Sequence, residues 1–169
     1  MSAYHPRNSN RSRSYATEDD FQQLFTTEAN DLFRLSLQLT ADAEKAERCL
    51  ILAMKDCFGT NTIFKDFAHV WARRMVIRSA IQLAFDVDHN SANDAETEFH
   101  LHSNGLHNDH QLESMVVLHL PRFDRLAFVI CVFERLSISD CALLLRKSPK
   151  DVNEAIVRAA NRSGKIREL

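Results

Sequence analysis

The fold of this chain is decided by residues 120–162, LPRFDRLAFVICVFERLSISDCALLLRKSPKDVNEAIVRAANR. Two helix start signals lie inside this stretch, because Ser137 is followed by Asp140 and Ser148 is followed by Asp151. In each pair a hydroxyl precedes a helical run and an acid stands in its first turn, where backbone N–H groups lack partners. Between the two caps there is room for a helix of about two turns and a tight turn. This spacing predicts a helix-turn-helix whose last helix can enter a DNA groove.

The remainder of the chain also predicts helices. Only three Gly and three Pro occur in 169 residues, and apolar residues recur every three or four positions, which favours an all-α protein. Helices are expected at 18–40, 42–58 and 64–85. In the second of these, helical stepping places Leu52 nearly opposite the apolar face. The third, which includes Phe67, has apolar residues on so many sides that it is expected to be well buried.

Charge and composition divide the chain into four parts. Residues 1–17 carry three Arg and no acid, residues 85–111 carry six acids and no Lys or Arg, and residues 112–169 carry ten basic side chains against seven acidic ones. We therefore expect a disordered tail at 1–17 and two small helical domains joined by an acidic, His-rich linker. The predicted bounds are 18–85 for the first domain, 86–111 for the linker and 112–169 for the second domain.

The C-terminal stretch resembles region four, the DNA-binding region of bacterial sigma factors of the extracytoplasmic-function class. The sequence pattern of that family begins with a Leu-Pro dipeptide and a helix of apolar residues, followed by a short step in which an apolar residue precedes Leu-Ser. A helix with the pattern IA.LL, a small turn and the pattern S...V...L.RA come next. The matching positions here are Leu120, Pro121, Phe128, Val129, Leu136, Ser137, Ala142, Leu144, Leu145, Ser148, Val152, Ile156, Arg158 and Ala159.

The N-terminal helices resemble region two of the same class, which grips core RNA polymerase and opens the −10 promoter element. The stretch LFRLSLQLTADAEKAE (32–47) is similar to the family's L[YF]RLA..LTGD...AE pattern. The stretch FKDFAHVWARRMVIRSAI (64–81) is similar to F..WL..IARN.AID. The resemblance implies a cytoplasmic, dissociable promoter-recognition subunit. Its expected partners are core RNA polymerase and promoter DNA, with an anti-sigma or other protein as a further candidate.

The resemblance and the helical faces assign three sets of candidate site residues. The set expected to contact the −10 region comprises Lys65, Arg73, Arg74 and Arg78. The set expected to contact the −35 region, on the outer face of the last helix, comprises Lys150, Asn153, Glu154, Val157 and Arg158. The set expected to dock on the polymerase or on another partner comprises Glu47, Arg48, Ile51 and Leu52.

Two departures from the family pattern keep an alternative function open. Arg48 to Leu52, RCLIL, stand where the family has a polar run close to DLVQE, so charge is inverted and polarity is lost. Arg146 stands where Gly is usual, at a cost of about 1 kcal/mol if that residue is left-handed. The alternative is a diverged sigma-like protein that no longer initiates transcription and binds another protein through an apolar patch at Ile51 and Leu52.

The remaining motifs indicate neither an enzyme nor a cofactor. No Gly-rich phosphate loop, HExxH or GxSxG occurs, and no apolar run has transmembrane length. The four cysteines, at 49, 57, 131 and 141, lack metal-type spacing and are expected to be buried thiols in a reducing compartment. Four linker histidines, His100, His102, His107 and His110, are expected to be solvated, with Zn²⁺ or Ni²⁺ binding as a weaker hypothesis.

Overall fold

A computed structural model describes residues 14–60, 62–86 and 116–166 of the protein. Within them the chain is all-α, as the sequence predicts. The helices are α1 (Glu18–Thr27), α2 (Ala29–Thr40), α3 (Ala43–Phe58), α4 (Ala68–Asp86), α5 (Arg122–Phe128), α6 (Ile138–Leu145) and α7 (Pro149–Ile166). A 3-10 turn (Lys65–Phe67) leads into α4, and a π-helical turn (Val129–Phe133) continues α5.

The first expected helix, 18–40, is broken at Glu28 into α1 and α2. The hydroxyls of Thr26 and Thr27 donate back to the carbonyls of Gln22 and Gln23, at 2.8 and 3.0 Å. Such bonds compete with the helical ladder, and Glu28 then leaves helical geometry with φ −106° and ψ 16°. The described residues 14–60 and 62–86 therefore contain four α-helices, where the sequence predicts three.

The residues just before α1 are ordered, although the sequence places them in a disordered tail. The backbone N–H of Ala16 donates to the carbonyl of Ile63 at 2.7 Å, and the ring of Tyr15 stacks on Phe64 with centroids 4.8 Å apart. Thr17 then caps α1 by accepting from the N–H of Asp20. Residues 1–13 of the predicted tail lie outside the described residues.

Helix α3 buries a wider arc than the sequence predicts. It packs against α1, α2 and α4, and both Cys49 and Ala53 are fully buried. The thiol of Cys49 donates to the carbonyl of Val76 on α4 at 3.2 Å. Leu52 is half-buried against the same core, so the prediction that it points outward is wrong; Ile51 is the exposed residue of the pair, at 50%.

Helix α4 is less buried than the sequence predicts. Its small residues Ala72 and Ala80, with Val76 between them, are fully buried where α4 packs on α3. The opposite side stays in solvent, with Phe67 57% and Val70 48% exposed. The prediction that this helix is well buried therefore holds for a wide face, which also includes Met75 and Ile77, and fails for the opposite side.

Both predicted helix caps, at Ser137 and Ser148, are confirmed. Ser137 accepts from the N–H of Asp140 at 3.0 Å, and Ser148 accepts from the N–H of Asp151 at 3.1 Å. Arg146 adopts the left-handed conformation with φ 53° in the turn between α6 and α7. The three C-terminal helices enclose a fully buried cluster of Leu126, Ile130, Ala155 and Val152.

The two halves, residues 14–86 and 116–166, are docked on one another. The guanidinium of Arg125 on α5 donates to the carbonyls of Leu39 and Thr40 at the end of α2, at 3.3 and 3.2 Å. Arg122 donates to the carbonyl of Ala84 near the end of α4 at 2.6 Å. Because backbone carbonyls at a helix end lack intrahelical partners, these arginines bind the second half to the ends of two helices of the first.

Candidate nucleic-acid interface

The outer face of α7 is exposed, as the sequence predicts, but its arginine is engaged. Lys150, Asn153, Glu154 and Val157 are all solvent-exposed. Arg158 is 48% exposed at its side chain, yet its Nη2 donates to Oδ1 of Asp124 at 2.8 Å and its Nε lies 3.2 Å from both carboxylate oxygens.

The ion pair between Arg158 and Asp124 gives Arg158 a structural role. The Asp124 side chain is only 6% exposed, so its charge is stabilised by the bidentate guanidinium. The same hydrogen bond raises the pKa of Arg158 above its ordinary value. The guanidinium of Arg158, which the sequence assigns to the −35 contact, therefore holds α7 on α5.

Two of the four basic residues predicted for the −10 contact are also engaged. Nε of Arg73 donates to Oε2 of Glu134 at 2.8 Å, and a second bond joins the same two side chains. Hydrogen bonding to Glu134, in the second half, raises the pKa of Arg73. Nζ of Lys65 lies 2.5 Å from Oδ1 of Asp20. The hydrogen bond from Lys65 is the largest of the causes that lower the pKa of the Asp20 carboxyl to about 2.

The other two, Arg74 and Arg78, are exposed and have no ion-pair partner within the described ranges. Helical stepping places them on one side of α4 with Val70 and Phe85, and Phe67 precedes them at the same angle. Phe85 is 37% exposed. We call Phe67, Val70, Arg74, Arg78 and Phe85 the α4 stripe; exposed aromatic rings can stack on bases while neighbouring arginines bind phosphates.

Sequence reasoning found the two arginines of the stripe but missed its aromatic residues. The sequence predicts that Phe67 is buried with its helix, because an aromatic residue on a helix is usually buried, and it predicts Phe85 only as the end of that helix. The signal that could have found them is their spacing, since both fall on the angular sector of Arg74 and Arg78 and away from Ala72 and Ala80.

Two cavities lie where the halves meet and border the candidate surfaces. One, of about 430 Å³, is lined from α4 by Arg73, Arg74 and Ile77, and from the second half by Phe133, Glu134 and Arg135. The other, of about 520 Å³, is lined by Phe85, Arg122, Lys147, Asp151, Glu154 and Arg158. The end of α4 and the start of α7 therefore face a common space.

The predicted docking set on α3 is only partly exposed. Glu47, Arg48 and Ile51 face solvent, whereas Leu52 packs against the core. The expected patch of two apolar residues is thus reduced to Ile51.

The four linker histidines lie outside the described residues. The hypothesis that they bind a metal ion therefore stays a prediction. In 14–60, 62–86 and 116–166, no group of three His, Cys, Asp or Glu side chains is placed to hold a metal ion. Among the helices of these same ranges, none has the length and apolar character to cross a bilayer.

No protein-family model and no curated protein sequence matches the chain. Among solved structures it is similar to the sigma factor RpoE in complex with the anti-sigma factor NepR from Bartonella quintana, with a TM-score of 0.54. The similarity covers 89% of this chain and 98% of that one, at 15% sequence identity. The protein therefore has a fold like that of this sigma factor, over both halves.

Proposed function

We propose that the protein is a sigma-like subunit of bacterial RNA polymerase that recognises promoter DNA. The observation that carries the proposal is the α4 stripe, in which two neighbouring exposed arginines, without ion-pair partners among the described residues, lie between an exposed aromatic ring at each end. A strand opened at the −10 region can stack on such rings. The exposed Lys150 and Asn153 of α7 then contact the −35 region as the last helix of the helix-turn-helix. The proposal assigns no catalytic step to the chain.

The docked halves cannot occupy both promoter regions at once. Positions −10 and −35 lie about 25 base pairs apart, which is about 85 Å of duplex at about 3.4 Å per base pair. A compact chain of this length has a radius of gyration of about 15 Å and a width of roughly 40 Å. Promoter binding on both regions therefore requires the halves to separate, which breaks the bond between Arg73 and Glu134 and frees a further arginine beside the stripe.

The stripe is tested by the double substitution Arg74→Gln and Arg78→Gln. If both arginines hold phosphates, the affinity for a promoter fragment should fall about tenfold, and the slope of log K against log salt should fall by about two. Fluorescence anisotropy with labelled DNA and core RNA polymerase, over a salt series, measures both quantities. Arg34→Gln is the matched control, because Arg34 is an exposed arginine on α2 paired with Asp31. An unchanged salt slope in the double variant would contradict the assignment.

A second candidate function is favoured by the exposed Ile51. In this alternative the protein keeps the sigma-like fold but acts as a protein-interaction module through α3. The solved neighbour is itself bound to a protein, its anti-sigma factor. The two functions differ in whether core RNA polymerase is bound at all.

Substituting Ile51→Glu is expected to weaken any protein partner that docks on α3 at least tenfold, because it places a charge in the centre of the contact. The fold should be unaffected, since Ile51 is half exposed. Binding is measured by fluorescence anisotropy of the labelled full chain with core RNA polymerase, and Lys55→Glu on an exposed position of α3 is the control. The sigma function is favoured if the unsubstituted chain binds core RNA polymerase saturably and Ile51→Glu removes this binding. The interaction module is favoured if the unsubstituted chain does not bind core RNA polymerase.

A further inference from the structure

The cavity of about 430 Å³ between the two halves has the size and the lining of a small-molecule site. One wall is a single face of α4, and the other is formed by the π-helical turn after α5 and the start of α6. Its apolar lining residues are Val70, Ile77, Phe133 and Leu136. Ligand pockets combine such apolar walls with a few charged groups that fix the orientation of the ligand. The charged side chains of this cavity therefore indicate what it can bind.

Two arginines line the cavity without an ion-pair partner among the described residues. Arg74 lies on α4 in the first half, and Arg135 follows the π-helical turn in the second half. Both side chains are exposed, and neither takes part in an ion pair of residues 14–60, 62–86 and 116–166. Within this part of the chain, the cavity therefore offers one unpaired guanidinium from each half.

The carboxylates of the cavity already have hydrogen-bond partners. Glu134 binds Arg73 through two hydrogen bonds, and Oδ2 of Asp140 accepts from the hydroxyl of Ser137 at 2.7 Å. With His69 counted as neutral, the three arginines and two acids of the lining leave one net positive charge. An anion can therefore bind to the two remaining guanidiniums without displacing either of these hydrogen-bonded pairs.

The backbone at Arg135 is strained in a way that a glycine would avoid. Its φ is 56°, and the N–H of Leu136 donates to the carbonyl of Ile130 at 3.1 Å, six residues back. This pattern closes a helix with a left-handed residue, and glycine usually occupies that position. Strained positions are concentrated at binding sites. The left-handed arginine therefore supports a binding role for its side chain.

We propose that this cavity binds a nucleotide with two or three phosphates. Guanidiniums bind phosphate oxygens in pairs of hydrogen bonds, so Arg74 and Arg135 hold the phosphates, one from each half. The base packs on the apolar wall, where the ring of Phe133 lies edge-on to Phe128 with centroids 5.5 Å apart. This apolar wall favours a nucleotide over free pyrophosphate, which carries similar charge but lacks a base.

A nucleotide that is held by one arginine from each half stabilises the docked arrangement. It also occupies Arg74, which belongs to the α4 stripe. This consequence rests on the proposed function: the nucleotide competes with promoter DNA for Arg74 and keeps the halves together. The binding site itself does not depend on promoter binding.

Isothermal titration calorimetry of the full chain with adenosine diphosphate, in buffer without Mg²⁺, tests the site. We expect saturable binding of a single nucleotide per chain, and pyrophosphate should bind about tenfold more weakly because it cannot stack on an aromatic ring. The titrations contain a reducing agent because the four cysteines are free thiols. Three of them, Cys49, Cys57 and Cys141, are buried, as the sequence predicts, whereas Cys131 is half-buried, so that prediction fails in part.

Two substitutions test the two guanidiniums separately. Arg74→Gln and Arg135→Gly should each lower the affinity for adenosine diphosphate by about tenfold or more, since each removes hydrogen bonds between charged groups. Arg135→Gly also relieves the left-handed strain, so it should unfold at an equal or higher urea concentration than the unsubstituted chain. Its loss of binding then cannot result from misfolding. Arg34→Gln, at an exposed arginine on α2, is the control and should bind as the unsubstituted chain does.

Three results would overturn the proposal. One is the lack of saturable binding up to about 1 mM nucleotide. Another is equal affinity in Arg74→Gln, Arg135→Gly and the unsubstituted chain, which would show that the nucleotide binds elsewhere. The third is pyrophosphate binding as tight as that of adenosine diphosphate, which would show that the apolar wall does not contact the base. Because the titrations contain neither DNA nor polymerase, their outcome and that of the promoter-binding experiments are independent.

Discussion

Replacing Arg125 by Met is expected to lower the free energy of unfolding by about 3 kcal/mol and to release the second half of the protein from the first. The Arg125 guanidinium donates to three backbone carbonyls, those of Leu39, Thr40 and Leu120, and the residue is 8% exposed. Met keeps most of the apolar stem but leaves these carbonyls without a donor. Each carbonyl that loses a hydrogen bond from a charged donor costs about 1.5 to 3 kcal/mol.

An opposing contribution comes from the charge itself. Burial lowers the pKa of Arg125 to about 10, because the cation is desolvated. Met removes this cost, which is why the expected loss is smaller than three full hydrogen-bond penalties. Since the folded pKa is depressed below the ordinary pKa of arginine, the unfolded chain binds more protons above pH about 10, and the contribution of Arg125 to stability should rise with pH there.

Urea unfolding followed by circular dichroism measures the effect of Arg125→Met. The exposed Arg34→Met is the control and should change stability by less than about 0.5 kcal/mol, because Arg34 forms only a surface pair with Asp31. A loss below about 0.5 kcal/mol for Arg125→Met would mean that desolvation of the cation offsets all three hydrogen bonds.

Replacing Glu134 by Lys should separate the halves without unfolding either of them. The substitution sets a second cation against Arg73, whose side chain is 26% exposed, so that an attractive pair becomes a repulsive one. We expect a loss of about 2 kcal/mol in the docking of the halves, after allowance for the partial exposure of Arg73. Small-angle X-ray scattering should show a larger radius of gyration with unchanged helical content.

The matched control is Glu154→Lys, which makes the same charge change on the exposed face of α7. It should leave the radius of gyration unchanged. An unchanged radius in Glu134→Lys would show that the shared apolar core and Arg125 hold the halves together without this ion pair. Glu134→Gln breaks the same pair without adding a cation, so tighter binding of a single-stranded −10 oligonucleotide by this variant would report the freed Arg73.

Local signals in the sequence were sufficient for the C-terminal helices and insufficient for the contacts between the halves. Ser137 and Ser148 act within three residues of themselves, so their caps could be predicted from spacing alone. The roles of Arg125 and Asp124 could not, because each depends on a partner 34 or more residues away. A buried arginine and an exposed one look alike until the packing is known.

The errors on α3 and α4 have a similar physical origin. Leu52 was expected to point outward because a surface helix usually buries one stripe, but α3 has neighbours on three sides. Phe67 was expected inside because aromatic rings usually are. The roles of the α4 stripe and of α7 in DNA binding stay predictions, because the similarity to the sigma factor shows only that the fold is shared.

In the turn before α7, the left-handed Arg146 lowers the stability of the turn but adds positive charge to it. A glycine there would avoid a strain of about 1 kcal/mol. Arg146 and Lys147 instead add exposed cations beside the positive end of the α7 dipole, which Asp151 offsets only in part. We therefore expect this corner to be less stable than a glycine turn would be and to have a local positive potential, which would favour the approach of a polyanion.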